Sequence, residues 1–216
     1  TVRHEKDKLF NTEAVLQNGK VIAYRDKTHL PTYDVFDEDR YFTSSESIKI
    51  VKLNLNGREY KLGIQLCEDL WDNEYDIKVS QELCNQGAEL LINISASPFH
   101  INKFYERIEI IKDKSKHLKC YFIYCNLVGA QDELIFDGQS CVVNPVGEVV
   151  ALCSLFKEDV KVIDLDECKS VSVSNISEEE QIYHALSLGV RDYFNKTGHF
   201  KAVLGLSGGI DSSLTA

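Results

Sequence analysis

The chain has no methionine, no long apolar run and no surplus of basic charge. Each absence closes off a class of protein. Crossing a bilayer as a helix takes roughly 18 to 20 uninterrupted apolar residues, and no segment approaches that. Lys and Arg together number 24 against 34 Asp and Glu, a formal net charge of -10, whereas a phosphate backbone selects for basic stripes. Neither a membrane nor a nucleic-acid partner is expected. The seven cysteines are odd in number and lack metal-type spacing, a pattern that suits free thiols in a reducing cytoplasm better than a disulfide scaffold. Internal repeats and low-complexity tracts are also missing. With no methionine and a start at Thr1, the first residue is not expected to be the biological N-terminus, and a targeting segment ahead of it would be out of sight.

What is present is ordinary globular material, 216 residues with 44% hydrophobic content, enough for one substantial core and part of a second. "TEAVLQNGKVIAYRD" and "SIKIVKLNLNGREYKLGIQL" each read as two strands joined by Asn-Gly, a strong hairpin signal. A helix is expected over residues 74–86, stopped by Gly87. "ELLINISAS" and "CYFIYCNLVG" read as buried strands. Between them, "KFYERIEIIKDKSKHL" puts Phe104, Ile108, Ile111 and Leu118 on one helical face. "GQSCVVNPVGEVVAL" forms a hairpin around residues 144–147, and "VKVIDLD" is expected as a last strand. Hairpins mixed with strand-helix alternation indicate an α/β domain with parallel and antiparallel pairing.

A second unit begins near Ser174. Ser177 and Glu180 make a capping box ahead of a helix whose apolar stripe is Ile182, Leu186, Val190, Tyr193 and Phe194, closed by Gly198. "FKAVLGL" follows as an expected buried strand, and "SGGIDSS" as the turn into another helix. That turn is not a Walker A loop, since no Lys-Ser or Lys-Thr pair follows its glycines. Gly208 and Gly209 still let backbone amides converge, and the new helix adds its positive end. Ser207 and Ser212 offer hydroxyls, and Asp211 could orient the loop or approach a magnesium ion. A plain strand-to-helix turn would have the same spacing.

Two further positions carry chemistry. Cys67 ends a buried strand in "KLGIQLCEDLWD", where a thiol can face a pocket if a neighbour stabilises its charge; a buried core thiol is the plainer reading. Lys27 ends a strand in "RDKTHLPTYDVFDEDRYF", with Tyr33, Glu38 and Arg40 on the loop beyond; a solvated strand end is the plainer reading there.

Taken together, "RDKTHLPTYDVFDEDRYF", "LCEDLWD", "NISASPFHINKFYER" and "GAQDELIFDG" resemble the glutaminase domain of glutamine-dependent NAD synthetases, a nitrilase-type amidohydrolase. "LSGGIDSS" resembles the pyrophosphate loop of the ATP pyrophosphatase superfamily. The resemblance covers most of residues 1 to about 165, plus the loop. It implies a nitrilase-like α-β-β-α sandwich over 1–170, followed over 174–216 by the first helix, strand and loop of a Rossmann-like synthetase domain, the chain being an internal piece of the whole. It also implies that Cys67 attacks the glutamine amide, that Lys27 stabilises the oxyanion, and that Glu38 supports that lysine. Tyr33, Glu68, Ser97 and Lys103 match positions around the glutamine head group. Ser207, Gly208, Gly209, Asp211 and Ser212 match the ATP loop, with Asp211 a candidate magnesium contact.

The parent activity so implied is release of ammonia from glutamine and ATP-dependent amidation of nicotinic acid adenine dinucleotide to NAD, giving glutamate, AMP and pyrophosphate. ATP and magnesium act as substrate and cation, no cofactor is tightly held, the whole protein forms homo-oligomers in the cytoplasm, and this piece alone is inactive. The triad's general-base glutamate matches neither Glu5 nor Glu13, and Asn102 and Ala130 stand where the family commonly carries glycine. A stand-alone amidase, a non-catalytic assembly subunit and a purine-type synthetase remain as rivals. The "SGGIDSS" string argues against the first, Lys27 with Cys67 against the second, and the nitrilase-like domain against the third.

Overall fold

The computed structural model describes all 216 residues. Strands β1 (Val2–Glu5), β2 (Lys8–Gln17) and β3 (Lys20–Asp26) form an antiparallel three-stranded sheet. Asn18 and Gly19, both at positive φ, make the turn between β2 and β3. Asn56 and Gly57 do the same between β4 (Val51–Leu55) and β5 (Arg58–Leu66). Helix α1 (Val79–Asn85), β6 (Leu90–Ser95), α2 (Lys103–Leu118) and β7 (Tyr121–Asn126) follow. Next come the small hairpin β8 (Val128–Gln131) and β9 (Leu134–Asp137), then β10 (Cys141–Val143) and β11 (Val149–Leu152).

The main sheet has six strands in the order β11-β10-β7-β6-β5-β4, with β5, β6 and β7 parallel and the outer pairs antiparallel. One face carries α1 and α2, whose Val79, Leu83, Phe104, Ile108 and Ile111 pack on Leu91, Phe122, Tyr124 and Val143. Gly63 in β5 makes this contact close: a Cβ there would lie 2.7 Å from a methyl of Leu91 and 3.1 Å from Cβ of Leu83. Against the other face, Val15 and Ala23 of the three-stranded sheet meet Val51, Leu62 and Ile64. The class is the mixed α/β sandwich expected.

Helix α3 (Glu178–Thr197) is capped by Ser177, whose hydroxyl accepts from the Glu180 N–H, the first half of the expected box, and it ends at Gly198 in the left-handed region. Helix α4 (Ile210–Thr215) is a short turn after the glycines.

Four expectations need correction. The helix expected over residues 74–86 is confined to α1, because Asp72–Glu74 form a separate tight turn held by Lys78. Beyond that turn, Tyr75 and Ile77 are drawn to His29. "VKVIDLD" is not a strand: Ile163 and Leu165 pack on the face around Val142, Val150 and Ala151 instead of extending the edge. "FKAVLGL" is neither buried nor a strand, since nothing pairs its backbone and Val203 is fully exposed. Finally, α3 buries a different face from the apolar stripe. Its contact face is Gln181, Ala185 and Leu188, the last two packed with Phe156, while Ile182, Leu186, Val190 and Tyr193 point to solvent and Phe194 is half-buried.

Candidate active site

The site is built where β3 and β5 end. Cys67 follows β5 directly at φ 39°, a left-handed conformation that L side chains rarely adopt, and opens a short helical turn over Cys67–Leu70. Asp69, fully buried, holds that bend. One of its oxygens accepts from the Leu66 N–H at 3.1 Å, and the other accepts from the N–H groups of Thr28 and His29 at 3.1 and 2.9 Å. The Arg25 guanidinium stands 3.7 Å away. The same carboxylate thus ties the Cys67 bend to the residues that follow Lys27.

Lys27 is 2% exposed, and its Nζ donates to Glu38 Oε1 at 2.6 Å. The other Glu38 oxygen accepts from Asn11 at 3.2 Å. Burying an ammonium is tolerable only with such a partner. Burial also pushes the Cys67 thiol up in pKa, while the Lys27 ammonium and the Ser95 hydroxyl pull it down. The Cys67 carbonyl accepts from Asn93, whose own side-chain oxygen accepts from Ser95 at 2.6 Å.

Glu68 is buried beside this pair and accepts from the hydroxyls of Tyr33 at 2.8 Å and Tyr75 at 3.1 Å. Burial raises its pKa; the two phenols, Lys27 and Lys103 oppose the rise. Burial, first, and the Glu68 contact push the Tyr33 phenol up too. Lys103 opens α2 with its Nζ 4.0 Å from the centre of the Trp71 ring, and half-burial lowers its pKa against the pull of Glu106 and Glu68. Ser97 is fixed through its N–H, which donates to Asn126 at 3.0 Å. Asn126 donates in turn to Asp137, which forms a buried ion pair with Arg107, each 1% exposed.

The structure therefore brings Lys27, Glu38, Cys67, Tyr33, Glu68 and Lys103 into one electrostatic neighbourhood, whereas the contact shown for Ser97 is with Asn126. It does not join them to the glycine loop. Ser207, Gly208, Gly209, Asp211 and Ser212 lie exposed on the C-terminal segment, where Gly208 turns at φ 84° and the Ser207 and Ser212 hydroxyls meet at 3.0 Å. No grouping of three or more His, Cys, Asp or Glu side chains is arranged to hold a metal, so Asp211 alone does not make an ion site.

Sequence reasoning missed Asp69, Tyr75, Asn93, Ser95 and Asn126. Of these, Asp69 alone had a local signal, a carboxylate two residues beyond a thiol at a strand end. The others reach the site from separate elements.

Chemically, the cluster offers a nucleophile with a fixed cation beside it. It also offers a carboxylate and an ammonium placed to receive groups of opposite charge.

A family model for carbon-nitrogen hydrolases matches residues 1–172, and one for NAD synthases matches residues 182–216. The glutamine-dependent NAD(+) synthetase of Aquifex aeolicus is 38% identical over an alignment 244 positions long, gaps included, which covers 96% of this chain and 42% of that protein. That of Synechocystis sp. is 40% identical over 228 positions, covering 99% and 40%. Among solved structures, the glutamine-dependent NAD+ synthetase of Acinetobacter baumannii in complex with ADP superposes with a TM-score of 0.88 at 34% identity, over 99% of this chain and 40% of that one. A carbon-nitrogen hydrolase from Helicobacter pylori superposes at 0.61 with 25% identity, over 73% and 56%. The chain spans about two fifths of the length of the curated relatives it matches.

Proposed function

Because the chain belongs to the carbon-nitrogen hydrolase family, we propose that it builds the glutamine-hydrolysing site of an enzyme that makes NAD. The observation that carries this reading is the pairing of a strained, half-buried thiol with a buried ammonium, beside a carboxylate held by two phenols. In the reaction proposed, Cys67 sulfur attacks the side-chain amide carbon of glutamine, and the carbonyl electrons move onto oxygen. Lys27, held by Glu38, stabilises that oxyanion, a charge that develops only in the transition state. The C–N bond then breaks, ammonia leaves with an added proton, and a thioester remains on Cys67. Water cleaves the thioester to glutamate and restores the thiol. Proton transfer in these steps falls to the family's general-base glutamate, which matches no residue of this chain.

Glu68, with Tyr33 and Tyr75, suits the substrate ammonium; Lys103 and Ser97 suit its carboxylate. This division of roles follows from charge. Residues 1–170 form the glutaminase unit in this reading, and residues 174–216 open the synthetase unit, which the match to NAD synthases over 182–216 supports. The whole enzyme would bind ATP through Ser207, Gly208, Gly209, Asp211 and Ser212, and would use the released ammonia to amidate nicotinic acid adenine dinucleotide. Magnesium would accompany the ATP; Asp211 by itself does not fit a resident ion, and no step is assigned to one. The seven unpaired thiols suit a reducing cytoplasm, where this reading places the whole enzyme as a homo-oligomer.

The test is mass spectrometry after exposure to a diazo-ketone analogue of glutamine, which alkylates a nearby thiolate with loss of nitrogen. Selective, saturable labelling of Cys67 over the other six cysteines, abolished by Lys27→Ala, is expected. Uniform labelling of the thiols would overturn the assignment.

A further inference from the structure

Lys103 does not stand on a free helix end. Asn102, immediately before it, adopts the left-handed conformation at φ 67°, one that asparagine tolerates better than most residues. Its side chain makes no cap for α2, although that is the usual use of an asparagine in this position. Instead it turns to α3. Gln181, 4% exposed, accepts from the Asn102 backbone N–H at 3.0 Å and donates to the Asn102 side-chain oxygen at 3.2 Å. The Asn102 amide donates in turn to Glu178 at 2.8 Å.

Two residues beyond Lys103, on the same turn, the Tyr105 hydroxyl accepts from the Ile176 N–H at 3.1 Å. The first turn of α2 is thus gripped by residues 176–181. Behind the grip lies a cavity of about 210 Å³, lined in part by Phe104, Tyr105, Asp137, Ile176 and Gln181. The turn therefore has room to shift if its clamp is released. A buried glutamine whose polar atoms are taken up by one neighbouring residue and one nearby carbonyl is a fixed fastener rather than a solvated side chain.

We propose that Gln181 is a positioning residue for substrate recognition: by clamping Asn102 it fixes the start of α2 and so holds the Lys103 ammonium over Trp71, facing Glu68. The inference rests on the reading of Lys103 as the cation for the glutamine carboxylate. It assigns α3, which lies outside the segment matched to carbon-nitrogen hydrolases, a part in the affinity of the thiol site.

The experiment compares two alkylating reagents on the intact chain. The diazo-ketone analogue of glutamine has the amino-acid head group; iodoacetamide reaches the same thiol without one. Gln181→Met keeps side-chain length and burial but removes the hydrogen bonds. It should raise the analogue concentration giving half-maximal Cys67 labelling about fivefold to tenfold, roughly the worth of one ordinary hydrogen bond. The limiting rate at saturation and the iodoacetamide rate should stay within about twofold of the parent. Asn102→Gly, which keeps the left-handed backbone and its N–H donor, should give a smaller shift in the same direction. An unchanged half-saturation in both variants, or an equal loss of reactivity toward both reagents, would overturn the proposal. If the unaltered chain shows no saturation, the head-group reading fails first and this inference with it.

Discussion

At the scale of single residues, burial and pairing decide which ionisable groups are comfortable. Glu13 on β2 faces Arg25 across the strand pair, yet its Oε2 is buried without a hydrogen-bond partner. Burial pushes its pKa from an ordinary 4.5 up to about 7, against the pull of the chain's N-terminal amine and Arg25. A carboxyl whose folded pKa is raised stabilises the fold fully below its unfolded value and loses that contribution as pH rises through the folded one. Glu13→Gln should therefore melt later in urea than the parent at about pH 8, by on the order of 1 kcal/mol after allowing for partial solvent screening. The difference should close below about pH 5; a constant gap across that range would place the effect elsewhere. Lys27 and Cys67 could be singled out from sequence because each ends a strand. Asn93, Ser95 and Tyr75 could not, because what makes them relevant is the geometry of β6 and of the turn after Asp72.

At the scale of elements, local chemistry carried well where it was decisive. The Asn-Gly pairs predicted both hairpins because few other residues accept two successive positive φ values. The Ser177 box and Gly198 predicted both ends of α3. Its buried face escaped prediction, since Gln181, Ala185 and Leu188 also fall at helical spacing and look less apolar than the stripe beside them. Burial went to the small and polar side because Asp192 and Lys196 fasten α3 to the backbone of Ala130 on β8. Sheet-to-helix distance is a further property of elements, and Gly63 sets it. Gly63→Ala would drive a methyl into Leu91 and Leu83, and should cost about 1–3 kcal/mol as an overpacked core does. Urea melts measure this directly; a neutral result would mean that α1 can retreat.

At the scale of the molecule, the chain divides into a packed sandwich and a sparsely covered end. From residue 199 onward almost every side chain is exposed, including Phe200, Val203, Leu206 and Ile210. The outward stripe of α3 is apolar and exposed as well. A substitution that removes no buried area leaves stability nearly untouched. Leu186→Lys combined with Val190→Lys should thus melt within about 0.5 kcal/mol of the parent, while binding less of an apolar dye. A loss of more than about 2 kcal/mol in the same melt would show the stripe to be packed. The expectation of a buried strand at "FKAVLGL" failed at this scale too: composition can mark a segment for burial, but a strand also needs a neighbour to take its backbone hydrogen bonds.

The carboxylate of Asp69 has a consequence for tolerance. Cys67 and Lys27 sit on different sheets, and an error in where one sheet rests on the other would ordinarily reach the gap between sulfur and nitrogen in full. Both are instead referenced to one datum: Asp69 takes the Leu66 N–H on one side and the Thr28 and His29 N–H groups on the other. Small slips between the layers are absorbed elsewhere, and the spacing of the reactive pair is gauged from a single atom group one residue beyond Glu68.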